Sequence, residues 1–186
     1  MSTNAIITGS IGAIARRDGK SIAETFINAD VIVIVDTSGS MNSHDSRGGK
    51  SRYEVACQEL ADLQNSLPGK IAVLAFSSEI IFCPAGIPQY FGGGTDLEKA
   101  LKFAKQADVT GMRFIVISDG EPNSERDAMN VAKTFKNKIS TIYVGPEEYP
   151  AGREFLERLA KASGGLSVTA EKAQELAANV RLLLKA

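Results

Sequence analysis

The chain has 186 residues, of which 44% are hydrophobic and 23% charged, with 21 Lys+Arg against 22 Asp+Glu for a formal net charge of −1. At about 150 residues per domain this allows one domain with a short extension, and such a composition buries a core instead of staying disordered. The even charge balance argues against a protein built to neutralise nucleic-acid phosphates or to lie on an acidic membrane.

Residues 1–28 form an N-terminal extension, and residues 29–186 the domain proper. The first ten residues lack a basic start followed by a long apolar run, so no secretory signal is visible. No stretch approaches the ~18 apolar residues of a membrane helix. Cys57 and Cys83 are too few for a disulfide framework, and the expected setting is reducing and cytoplasmic. Ser21 and Glu24 have capping-box spacing ahead of a short helix whose apolar face carries Ile22, Ala23 and Phe26. The extension is expected to pack on the domain, since Ile22 and Phe26 would otherwise be exposed; a partner-binding tail is the alternative.

From Val31 the pattern is regular. Val31 to Val35 is a continuous β-branched run ending at Asp36, as in a strand buried on both faces of a parallel sheet. Ile71–Phe76, Phe114–Ile117 and Ile139–Val144 read alike, and Leu166–Thr169 is a short last strand. Glu79–Cys83 follows its predecessor after only two residues, which fits a hairpin and an antiparallel edge strand. Between the strands lie helical stripes: Ala56, Leu60, Leu63 and Leu67; Leu97, Ala100, Leu101 and Ala104; Ala128, Val131, Ala132 and Phe135; Phe155, Leu159 and Ala162; Ala173, Leu176, Ala177 and Val180. This alternation is that of an α/β, doubly wound, Rossmann-like open sheet with helices on both faces. The simplest right-handed topology is strand order 3-2-1-4-5-6 with strand 3 antiparallel, strands 1 and 4 flanking the switch point where ligands bind.

Three segments are expected to meet there. Asp36-Thr37-Ser38-Gly39-Ser40-Met41 follows strand 1, Gly92-Gly93-Gly94-Thr95-Asp96 opens a helix, and Ser118-Asp119-Gly120 follows strand 4. Their side chains offer two carboxylates, Asp36 and Asp119, and three hydroxyls, Ser38, Ser40 and Thr95. An all-oxygen set suits a hard cation such as Mg²⁺, with Mn²⁺ or Ca²⁺ as substitutes. The absence of His and Cys from the set argues against zinc and copper. Two converging carboxylates repel without a cation. Three neutral hydroxyls leave a bound ion under-neutralised, so it attracts an outside carboxylate without any bond-breaking chemistry.

Structural alternatives stand beside each assignment. Both aspartates suit turns or caps, the serines are turn formers, and Thr95 with Glu98 has capping-box spacing. The glycine run could cradle phosphate, but it lacks the Lys-Ser/Thr ending of a P-loop.

Asp36-Thr37-Ser38-Gly39-Ser40 resembles the Asp-x-Ser-x-Ser motif of von Willebrand factor A (vWA) domains. Thr95 after its glycine run and Asp119 in Ser-Asp-Gly resemble the other two parts of that family's metal-ion-dependent adhesion site (MIDAS). The resemblance covers roughly residues 29–186 and is to the intracellular single-domain type, with a complete ligand set. It implies that Ser38, Ser40 and Thr95 bind Mg²⁺ directly or nearly so, that Asp36 and Asp119 act mainly through waters, and that an Asp or Glu of a partner protein completes the shell. It also implies that Thr95 engages the metal in some conformations and releases it in others.

The function expected is thus a non-catalytic, divalent-metal-dependent protein-interaction module, an adaptor to an ATPase, kinase/phosphatase or proteolysis-related complex, with no nucleic-acid or membrane partner. His44, Asp96 and Glu121 are candidate partner-binding residues at the rim. One alternative is an Mg²⁺-dependent phosphohydrolase of haloacid-dehalogenase type with Asp36 as nucleophile; Ser38 stands where those enzymes carry a second Asp as acid/base. Another is a structural subunit whose metal site is merely stabilising.

Overall fold

The computed structural model describes residues 6–148 and 150–170. The strands are β1 (Val31–Asp36), β2 (Ile71–Phe76), β3 (Ile80–Phe82), β4 (Arg113–Ser118), β5 (Ile139–Tyr143) and β6 (Ser167–Thr169). They form one sheet in the order β3-β2-β1-β4-β5-β6. All neighbours are parallel except β2 and β3, which pair antiparallel at the edge. This is the expected doubly wound topology. Its cause is visible in β1, where every residue is buried. Val31, Val33 and Val35 pack on one face with Val55, Leu60 and Leu63 of α3 (Arg52–Ser66). Ile32 and Ile34 pack on the other with Leu97 and Leu101 of α4 (Leu97–Ala104) and Phe155 and Leu159 of α6 (Pro150–Ser163). A strand with apolar side chains on both faces is stable only between two helical layers.

The third helix of that second layer, α5 (Glu125–Ala132), ends earlier than the apolar stripe predicts. Phe135 lies beyond its end and packs edge-on to Phe114, the ring centroids 4.8 Å apart. Similarly, Leu166 falls before β6 and is half exposed. The predicted helix carrying Ala173, Leu176, Ala177 and Val180 lies outside the described residues.

Two short helices precede β1. The capping box of Ser21 and Glu24 is formed at the start of α2 (Ile22–Phe26). Phe26 meets Phe82 edge-on at 5.6 Å, whereas Ile22 stays 43% exposed. The helix α1 (Ile11–Asp18) is not evident from the sequence pattern. Ser10 caps its start and Gly19, at φ 65°, ends it in the left-handed region that glycine adopts freely. Ile11 is buried, and the Gly9 carbonyl and Gly12 amide bond to Gly69 and Pro84. Gly9 itself presses on α3, where a Cβ would stand 2.1 Å from the Gln64 carbonyl oxygen.

Candidate functional site

Asp36, the last residue of β1, is fully buried. One carboxylate oxygen accepts the Ser38 amide at 2.9 Å and the other accepts the Ser118 hydroxyl at 2.6 Å. Ser118 in turn accepts the Gly120 amide at 3.0 Å. These bonds tie the end of β1 to the end of β4, as expected at the switch point. The glycine run is stitched to the first loop by backbone alone: Gly39 donates to Gly93 at 3.0 Å, and Gly92 donates to Thr37 at 2.9 Å. Gly39 permits this approach, since a Cβ there would lie 3.3 Å from the Gly93 oxygen. Thr95 is joined to the third segment through Asn123, whose side-chain oxygen accepts the Thr95 backbone N–H and whose backbone N–H donates to the Thr95 carbonyl, both at 2.9 Å. The structure thus brings the loops carrying Asp36, Ser38, Ser40, Thr95 and Asp119 together.

The donor set suits a divalent cation. The Ser38 and Ser40 hydroxyl oxygens are 3.3 Å apart beside the Asp36 loop. Adjacent ligands on an octahedral Mg²⁺, each at about 2.1 Å, stand ~3 Å from one another, so the serine pair needs little movement to share an ion. Thr95 is largely buried, and among the described residues its hydroxyl has no hydrogen-bond partner. No three His, Cys, Asp or Glu side chains gather to hold a metal among the described residues. An ion here would rest on hydroxyls and water as much as on carboxylates.

Electrostatics point the same way. Burial, and then the nearby charge of Asp119, push the Asp36 carboxyl up to about 7 against the hydrogen bonds from Ser118 and Ser38. An ionised Asp36 is costly in this pocket unless a cation shares it.

Asp96, a candidate rim residue, is only partly buried and also has a structural part. It, and not Thr95, is the N-cap of α4, its carboxylate accepting the Lys99 amide at 3.1 Å. Thr95 is excluded from the capping-box role because its backbone is committed to Asn123. His44 is exposed in the loop after the serines. Glu121 is half exposed and lies at the rim, 3.2 Å from Arg52.

Arg52 is the principal residue that motif spacing does not reveal. Only 6% exposed, it begins α3 and reaches across the site. Its Nε and Nη2 hold both oxygens of Asp45 at 2.9 Å, and its Nη1 donates to Asp119 at 2.8 Å as well as to Glu121. The Asp45 carboxyl is held below its usual range by this fork. Asn123 and Tyr90 are likewise marked by no motif. The Tyr90 hydroxyl donates to the Gly39 carbonyl at 3.3 Å, and its ring meets Tyr53 edge-on at 5.6 Å. Tyr90 and Phe91 are 40% and 47% exposed, giving the rim an aromatic border.

Among the described residues no helix is long and apolar enough to cross a membrane. No protein-family model matches the chain, and no curated protein matches it either. Solved structures do. The vWF domain of the type V pili tip protein Mfa5 from Porphyromonas gingivalis is 13% identical, with a TM-score of 0.63 over 82% of this chain and 94% of that one. The conserved hypothetical protein BatB from Bacteroides thetaiotaomicron is 16% identical, with a TM-score of 0.62 over 84% of this chain and 98% of that one. The manganese-loaded Plasmodium vivax TRAP protein is 18% identical, with a TM-score of 0.59 over 80% of this chain and 71% of that one. Strand order, the single antiparallel edge and these likenesses agree: the chain has the fold of the von Willebrand factor type A domains.

Proposed function

We propose that this protein is a non-catalytic interaction module that binds its partner through a divalent cation. In this reading Ser38, Ser40 and Thr95 hold the ion, Asp36 and Asp119 act on it chiefly through waters, and an Asp or Glu of the partner takes the remaining position. The observation that carries the reading is the pair of serine hydroxyls 3.3 Å apart on the loop that leaves the buried Asp36. A manganese-loaded neighbour of the same fold supports a divalent ion as the ligand. Mg²⁺ is the expected ion, with Mn²⁺ and Ca²⁺ as substitutes. Because the neutral hydroxyls leave the ion with unspent positive charge, the partner group should be anionic.

His44, Asp96 and Glu121, with the exposed Tyr90 and Phe91, would meet the partner segment around that carboxylate. The partner is proposed to be an intracellular assembly of ATPase, kinase/phosphatase or proteolytic type, with this chain as its adaptor in the cytoplasm.

The test is affinity capture from native lysate with the wild-type chain in Mg²⁺, the wild-type chain in EDTA, and Asp36→Ala in Mg²⁺. A partner retained at least tenfold more in the first condition is expected. Partners captured equally in all three would overturn the reading, provided circular dichroism shows the variant folded.

A further inference from the structure

Arg52 occupies a place that local physics disfavours. The first turn of a helix attracts anions, and Glu54 in the same turn obeys that rule. A guanidinium there is opposed by the helix dipole and, at 6% exposure, has also lost most of its water. Its return comes from three carboxylates, of which Asp119 is the fully buried one. One Asp119 oxygen accepts Arg52 Nη1 at 2.8 Å, and the other accepts the Glu121 amide at 3.3 Å. Asp119 is therefore both oriented and charge-paired. Asp45 and Glu121 are 37% and 57% exposed in their side chains, so solvent screens their charges far more than it screens the buried pair.

We propose that Arg52 is a positioning residue that sets the charge of the metal site: it holds Asp119 in place and offsets part of its charge, so that the bound cation stays electron-poor and needs an outside carboxylate. The inference rests on the function proposed above and specifies how this chain tunes it. Two expectations of opposite sign follow. Removing the guanidinium leaves Asp119 free to neutralise the cation, so the cation binds more tightly. The same change leaves the ion less attractive to an external carboxylate. At protein-like dielectric a fixed unit charge close to a divalent ion changes affinity by tenfold or more. General damage to the site would weaken both interactions together.

The experiment is a Mn²⁺ titration of the full chain followed by the electron paramagnetic resonance of free Mn²⁺, then acetate titration of the Mn²⁺-loaded protein followed by water-proton relaxation. Arg52→Gln is expected to bind Mn²⁺ at least tenfold more tightly than wild type and acetate at least threefold more weakly. Arg52→Lys, which keeps the charge, should stay within about threefold of wild type for Mn²⁺. The double variant Arg52→Gln/Asp119→Asn removes the pair without stranding a buried charge, and should lose the tightening, binding Mn²⁺ at least tenfold more weakly than Arg52→Gln. Unchanged or weaker Mn²⁺ binding by folded Arg52→Gln would overturn the proposal. If that variant does not fold, Arg52→Met takes its place, and unchanged or weaker Mn²⁺ binding by it would overturn the proposal instead. Mn²⁺ binding by wild type that Asp36→Ala abolishes keeps the proposed function standing whatever Arg52 does. Absence of such binding removes both.

Discussion

Asp36→Asn is expected to raise the melting temperature of the metal-free protein at pH 8 by roughly 8–16 °C, and to abolish the further rise expected of the wild type in Mg²⁺ or Mn²⁺. The carboxyl of Asp36 is fully buried and lies near Asp119. Its affinity for a proton is raised from the ordinary 3.8 to about 7. The sign of the effect follows from linkage. Between about pH 4 and pH 7 the unfolded chain gives up this proton while the folded chain keeps it, so stability falls as pH rises through that window and stays low above it. At ~1.4 kcal/mol per tenfold change in proton affinity, the ionised group costs the metal-free fold about 4 kcal/mol at pH 8. For a chain of this length that corresponds to roughly 2–4 °C per kcal/mol.

Asparagine carries no charge; its oxygen can accept the Ser38 amide as the carboxylate does, and its amide can donate to the Ser118 hydroxyl, reversing the native bond. Melting curves in EDTA at pH 5 and pH 8 check this. The advantage of the variant should more than halve at pH 5, where much of the cost to wild type has not yet developed. A variant that melts below wild type in EDTA at pH 8 would contradict the electrostatic picture of the site. A bound divalent ion would reverse the wild-type penalty by favouring the charged carboxylate, since binding to the native state alone adds stability by mass action.

Gly152→Ala should have the largest effect of the opposite sign. Gly152 lies near the start of α6, where a Cβ would stand 2.0 Å from the Asp119 carbonyl oxygen. The contact is reciprocal: a Cβ on Gly120 would meet the Gly152 oxygen at 2.1 Å. Backbone meets backbone, so no flexible side chain can yield. Overpacking of this kind costs about 3 kcal/mol, a fall of ~8 °C in melting temperature. The displaced group is Asp119, so Mn²⁺ affinity should fall as well. A Gly152→Ala protein that melts within 2 °C of wild type at unchanged Mn²⁺ affinity would show that α6 does not position the site.

The sheet was legible in the sequence because its strands are buried on both faces. Val31–Val35 and Ile71–Phe76 leave no room for a helical period, and the two-residue gap before Glu79 dictates a hairpin. The three loops of the site were legible because a strand order that puts β1 beside β4 places their ends together. Less visible was anything set by contacts between distant residues. Arg52 meets Asp45, Asp119 and Glu121 at separations of 7, 67 and 69 residues, and no periodicity announces such a partner. Thr95 with Glu98 has the spacing of a capping box, yet the bonds to Asn123, 28 residues away, hold Thr95 outside the helix and pass the cap to Asp96. The helix α1 escaped notice for a local reason: eight residues with only Ile11 and Ala15 buried give too short an apolar stripe, although Ser10 and Gly19 mark its ends.

Hydroxyls at the switch point are proposed to hold a divalent cation. The most direct measurement is the stoichiometry and affinity of Mn²⁺ for the wild-type chain beside a Ser38→Ala/Ser40→Ala variant, read from the resonance of free Mn²⁺. One ion per wild-type chain and at least a tenfold loss of affinity in the variant are expected, with melting in EDTA little changed. Equal binding by both proteins, or no binding by the wild type, would contradict it.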